Sequence, residues 1–140
     1  MNRIDGKVAV ITGGTQGLGA AIANLFAEAG AHGIVIVGRD HKKGETVASE
    51  ISKAYGIRAK MIAADLEKIE DVQRIIAETD NIFGRVDILV NSAGLTDRGN
   101  ILDTNPDLFN RMIAVNTRAP FFLIQDAAKI MIRENIEGRI

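Results

Sequence analysis

At 140 residues the chain has room for one domain, and 46% apolar with 25% charged residues is the balance of a folded protein rather than a disordered one. Its 17 basic and 18 acidic residues are mixed along the chain to a net charge of −1, which leaves no basic footprint for nucleic acid or an anionic membrane surface. The lack of cysteine removes disulfides, thiolate metal sites and cysteine nucleophiles together, and no stretch reaches the roughly 20 apolar residues of a membrane helix, so a cytoplasmic location is expected.

Met1-Asn2-Arg3-Ile4-Asp5-Gly6 is a mostly polar approach to a first strand, read at about 7–12 from the apolar run Lys7-Val8-Ala9-Val10-Ile11. Directly after it comes Thr12-Gly13-Gly14-Thr15-Gln16-Gly17-Leu18-Gly19, then a helical pattern at about 17–29. A strand that turns sharply into a helix needs glycines for positive φ and close ligand approach. The free N–H groups and positive end of the helix then favour an anion, so the turn is read as a phosphate site. Gly13, Gly17 and Gly19 are spaced G-x-x-x-G-x-G. The usual dinucleotide fingerprint does not fit, because Ile22 stands three residues after Gly19, and a Walker loop fails at Ala20 and Ala21. Taken alone, the motif could equally be a plain tight turn.

The first helix is apolar at Leu18, Ile22, Leu25 and Phe26, read as its buried face, with Gly30 as its stop. A strand at about 34–38, a helix at 41–55, a strand at 59–63, a helix at 69–82 and a strand at 86–90 follow. The 69–82 helix buries a face of Val72, Ile75, Ile76 and Thr79. Short apolar runs alternating with helical periodicity predict a parallel sheet covered by crossover helices. A polar loop from Thr96 to Asn105 leads into a long helical segment from Pro106 to about Asn135. Asn105-Pro106-Asp107 is a start signal, whereas Pro120 removes a ladder bond inside that segment, so a kink or bulge is expected near Asn116.

Four features fall at the carboxyl ends of successive strands, where open α/β sheets bind ligands. They are the glycine turn, Gly38-Arg39-Asp40, Asp65-Leu66 and Asn91-Ser92-Ala93-Gly94. Each has a plainer reading: Arg39 as a solvated loop charge, Asp65 as the cap of a turn, Asn-x-Ala-Gly as the end of a strand. Their shared edge and order argue for one site.

With these motifs the chain resembles the short-chain dehydrogenase/reductase family from Gly6 to Ile140, on Thr12-Gly13, Gly17-Leu18-Gly19, Asp65-Leu66, Asn91-Ser92-Ala93-Gly94 and Val115-Asn116. Ser92 departs from the family, which usually has a second asparagine there. The resemblance implies a Rossmann-like doubly wound sheet with strand order 3-2-1-4 and a fifth strand starting at the C terminus. It also implies hydride transfer between a nicotinamide dinucleotide and a small carbonyl or alcohol substrate. The glycine turn (Gly13, Thr15, Gln16, Gly17, Leu18, Gly19) would hold the pyrophosphate, Asp65 and Leu66 the adenine, and Asn91, Ala93 and Gly94 the sheet end and ribose. Asn116 would hold a proton-relay water. Gly38 stands where a carboxylate would bond the ribose hydroxyls of NAD, and the guanidinium of Arg39 suits the 2′-phosphate of NADP. NADP is therefore expected, with NAD possible if Asp40 takes that register.

The family's serine and Tyr-x-x-x-Lys have no counterpart here. The only tyrosine, Tyr55, ends the second helix and has Ala59 four residues on, which reads as packing. The chain is accordingly expected to be one NAD(P)-binding domain, residues 1–140, truncated on its C-terminal side, and inactive alone. A short non-catalytic nucleotide-binding or scaffold protein of the same fold is the alternative, and a methyltransferase is weaker because Gly38-Arg39 offers no acid. Phe109, Met112, Ile113, Phe121, Phe122, Ile124, Ile130 and Met131 spread widely round the 106–135 helix, which predicts a homo-oligomer, a dimer or tetramer.

Overall fold

Strands β1 (Val8–Thr12), β2 (Gly33–Gly38), β3 (Arg58–Ala63) and β4 (Ile88–Asn91) form one parallel sheet in the order β3-β2-β1-β4. The structure is a computed structural model and describes residues 3–140, so Met1 and Asn2 of the polar approach lie outside the described residues. Where the sequence predicts a fifth strand, the described residues show one isolated bridge. Arg139 bridges to Ile88 in parallel, with Leu89 N donating to Arg139 O at 3.0 Å and Arg139 N to Asp87 O at 2.9 Å.

Side-chain alternation along the strands feeds two cores. Val10, Val35, Val37 and Leu89 face α3 (Ile69–Phe83) and α5 (Ala119–Arg133), meeting Val72, Ile75, Ile76, Leu123 and Ala127. Ile11, Ile34 and Ile36 face the other way, onto Ala23 and Ala27 of α1 (Gly17–Glu28) and Ala48 and Ile51 of α2 (His41–Tyr55). Each large side chain sealed in these layers contributes roughly 1.5–3 kcal/mol, so both helix layers are held firmly on the sheet. This is the doubly wound arrangement that the alternating periodicity implies.

The buried face of α1 differs from the expected one. Gly19, Ala23 and Ala27 face the sheet, Ile22 and Phe26 pack at the margin, and Leu18 and Leu25 are 72% and 51% exposed. Small residues let the helix approach the strands closely, and that close approach rather than bulk decides which stripe turns inward.

The long C-terminal segment is interrupted as its proline requires. Asn105 caps α4 (Pro106–Ile113) by accepting from Leu108 N at 2.9 Å. A π-helical turn over Ala114–Arg118 then intervenes before α5. Pro120 has no N–H, so the carbonyl of Asn116 lacks its ordinary α-helical donor.

Candidate functional site

The glycine turn is shaped by contact with its neighbours. Gly13 has φ +67°, and a Cβ there would lie 2.9 Å from the backbone N of Ala93. Thr12, the last residue of β1, ties the same two segments: its Oγ1 accepts from Ala93 N at 3.2 Å and donates to Val90 O at 3.4 Å. A side chain at Gly19 would collide with the carbonyl of Gly13, and one at Gly38 would lie 2.5 Å from Thr15 Cγ2. Gly17 is different. It has φ +54°, but nothing lies within 4 Å of where its Cβ would be, so its bare backbone faces open space.

That space is a cleft of about 410 Å³ at the carboxyl edge of the sheet. Gly13, Thr15, Gln16, Gly17, Leu18 and Gly19 line one wall; Gly38, Arg39, Asp65 and Leu66 line the next; Ala93 and Gly94 line the third. The structure thus brings together all but two of the site residues read from the sequence. Gln16 is the N-cap residue of α1 yet makes no side-chain cap, which leaves the positive end of that helix open to a ligand. No cleft-lining position is a cysteine, histidine or lysine, and among the described residues no cluster could hold a metal.

The second wall is held by polar bonds around the Asp65 turn. Asp65 Oδ1 accepts from Glu67 N at 3.0 Å, and Asp65 N donates to Asp71 Oδ2 at 2.8 Å. That N–H is the main reason the Asp71 carboxyl is held below its ordinary pKa, with Arg74 assisting against the opposing effect of burial. The plain reading of Asp65 as a turn cap is therefore realised, and its second oxygen lies 4.0 Å from Lys68 Nζ.

Asn91 and Asn116 stand behind the cleft rather than in its wall. Asn91 Oδ1 is buried without a hydrogen-bond partner at the end of β4. The Asn116 amide is engaged at both ends by one residue: Oδ1 accepts from Leu95 N at 2.8 Å and Nδ2 donates to Leu95 O at 2.7 Å. The side chain fixes the Ser92–Leu95 loop from behind the cleft. Tyr55 is 38% exposed at the end of α2 and does not line the cleft.

The sequence reading missed Glu67 and Arg111, which also line the cleft. Their side chains form an ion pair between the β3–α3 turn and α4, and Arg118 Nη2 donates to Glu67 O at 2.6 Å. The one available signal was helical spacing, since Arg111 falls four residues before Val115, another lining residue.

Comparison with known proteins decides the family. The model for the short chain dehydrogenase family matches residues 7–140. The chain belongs to that family. It is 40% identical over 139 residues to versicolorin reductase 1 of Aspergillus parasiticus, covering 99% of this chain and 52% of that protein. Among solved structures it resembles a metagenomic short-chain oxidoreductase in complex with NADP, at TM-score 0.89 and 34% identity, covering 97% of this chain and 61% of that one. It also resembles L-sorbose reductase from Gluconobacter frateurii complexed with NADPH and L-sorbose, at TM-score 0.91 and 32% identity, covering 96% and 51%. The chain spans about half the length of the curated relatives it matches.

Proposed function

We propose that the protein is an NADP-dependent oxidoreductase acting on a carbonyl or alcohol, and that residues 1–140 are the cofactor-binding part of a larger domain. The observation that carries this reading is the end of β2. Arg39 lines the cleft there, whereas Asp40, the one carboxylate that could serve NAD instead, accepts from Lys43 N at 3.0 Å as the cap of α2. NADP and NADPH in two of the similar solved structures support the same choice.

The residues present fit the dinucleotide. The bare Gly17 and the uncapped start of α1 would take the pyrophosphate, Arg39 the 2′-phosphate, and Leu66 and Asp65 the adenine. When bound, the nicotinamide supplies or accepts the hydride. Beyond binding, Asn116 fixes the loop at Leu95, and its backbone carbonyl, to which Pro120 can give no hydrogen bond, would hold a proton-relay water. The proton itself comes from a phenol and lysine in the part of the relatives' length that this chain does not span. We place the protein in the cytoplasm; among the described residues no helix is long and apolar enough to cross a membrane. Phe109, Ile113 and Phe121, 59%, 46% and 60% exposed on one long helical segment, support assembly of identical subunits through that surface.

Turnover tests the reading. Purified residues 1–140 should bind NADPH yet reduce none of a panel of ketones and aldehydes, because a general acid must reach the substrate oxygen, and the extended protein should be active. Reduction by the fragment itself would contradict the division of labour.

A further inference from the structure

The cation next to the proposed 2′-phosphate position is not alone. Lys43 is the third residue of α2 and does not itself line the cleft, but helical side chains lean toward the N terminus of their helix, which here brings its ammonium to the rim at Gln16. Its ammonium donates to Gln16 Oε1 across 27 residues of sequence. Gln16 is a wall residue of the cleft and does not cap α1, so its carboxamide is turned to the lysine instead.

The nature of that acceptor matters. A carboxylate in Gln16's place would neutralise the ammonium, but a neutral amide holds it and leaves its charge intact. The acids nearby are engaged elsewhere: Asp40 caps α2, and Glu45 pairs with His41 at 3.6 Å. Among the described residues neither Arg39 nor Lys43 forms an ion pair. Arg111 and Arg133, by contrast, each have a carboxylate partner. An ammonium carries three donors, so one bond to Gln16 leaves two for a ligand.

We propose that Lys43, guided by Gln16, is a second specificity-determining cation for the 2′-phosphate, supplying from α2 the positive charge that the glycine turn itself lacks. This rests on the NADP reading above. Arg39 approaches from the end of β2 and Lys43 from the first turn of α2, so the phosphate is held from two sides, and the hydroxyl of NAD gains nothing from either charge.

Adenosine 2′,5′-bisphosphate and adenosine 5′-monophosphate differ only in the phosphate concerned, and calorimetric titration of the intact protein with both separates the two ideas. The wild type should prefer the bisphosphate by at least tenfold. Lys43→Gln should cut that preference by about three- to tenfold, as expected for an exposed charge-assisted bond, leave the monophosphate unchanged, and be rescued by Lys43→Arg. Gln16→Glu should also reduce the preference by cancelling the lysine's charge. A wild type that binds both nucleotides equally overturns the NADP reading itself. A wild-type preference that Lys43→Gln and Gln16→Glu leave intact overturns the role of Lys43 alone.

Discussion

The two ends of the sheet handle charge in opposite ways. At the amino edge Asp87 is 2% exposed, and its carboxylate is fully satisfied. It accepts from Val8 N at 2.9 Å and from Arg85 at 2.8 and 2.6 Å, with Lys7 Nζ 3.6 Å away. Those partners tie β1 to the approach to β4. At the carboxyl edge the start of α1 has no side-chain cap, and Arg39 and Lys43 have no carboxylate partner among the described residues. Groups satisfied within the chain hold the fold, while groups left open mark where the proposed ligand would complete the bonding.

That contrast breaks most visibly at Asp87. Asp87→Ala should cost about 3 kcal/mol in chemical denaturation, because it strands Arg85 and the Val8 N–H beside a buried site. Nucleotide affinity, measured where the variant is folded, should hold. A neutral change in stability would mean that the amino-edge pairs are ornamental.

Gly17→Val should do the reverse. A Cβ at this position meets no protein atom within 4 Å, but the valine side chain enters the volume assigned to phosphate and adds the roughly 1–2 kcal/mol strain of positive φ. NADPH binding should weaken at least thirtyfold, the equivalent of about 2 kcal/mol, by fluorescence titration. Retained binding would remove the glycine turn from the site.

A smaller effect sharpens the same comparison through pH. Burial alone would raise the pKa of Asp87, but the bonds from Arg85 and the Val8 N–H, with the charges of Arg85 and Lys7, hold it below the ordinary carboxylate range. Asp80 is held low in the same sense by Arg133. A depressed folded pKa gives stability that is complete above the unfolded value of about 3.9 and is lost as pH falls from there through the folded value. Acid titration of wild type should therefore show a loss of stability beginning below about pH 4, and Asp87→Asn should flatten it. An unchanged acid limb in the variant would assign the loss to other carboxylates.

Much of this was legible in the residues because its causes are local. Each strand is a short apolar run, and Asn105 and Pro120 act within one or two turns of themselves, so the capped start of α4 and the interruption near Asn116 could be read directly; the cap of α2 by Asp40, equally local, was not read. The glycine turn was legible for the same reason: positive φ at Gly13 and Gly17 is a demand that few other residues meet. The inward face of α1 was misread because bulk was used as the guide, whereas Gly19, Ala23 and Ala27 win by letting backbones approach. Pairings across the fold left no trace in the sequence. Nothing in the spacing of Gln16 and Lys43, Glu67 and Arg111, or Leu95 and Asn116 announces that their side chains or backbone meet. The double engagement of the Asn116 amide by Leu95 needed coordinates.

The central claim is that the open charge at the end of β2 selects NADP, and paired titrations of the intact protein with NADPH and NADH, in wild type and in Arg39→Asp, test it most directly. NADPH should bind at least tenfold more tightly to the wild type, and Arg39→Asp should abolish or invert that preference, because a carboxylate repels the 2′-phosphate and can bond the ribose hydroxyl. Equal affinities for the two cofactors, unchanged by the substitution, would contradict it.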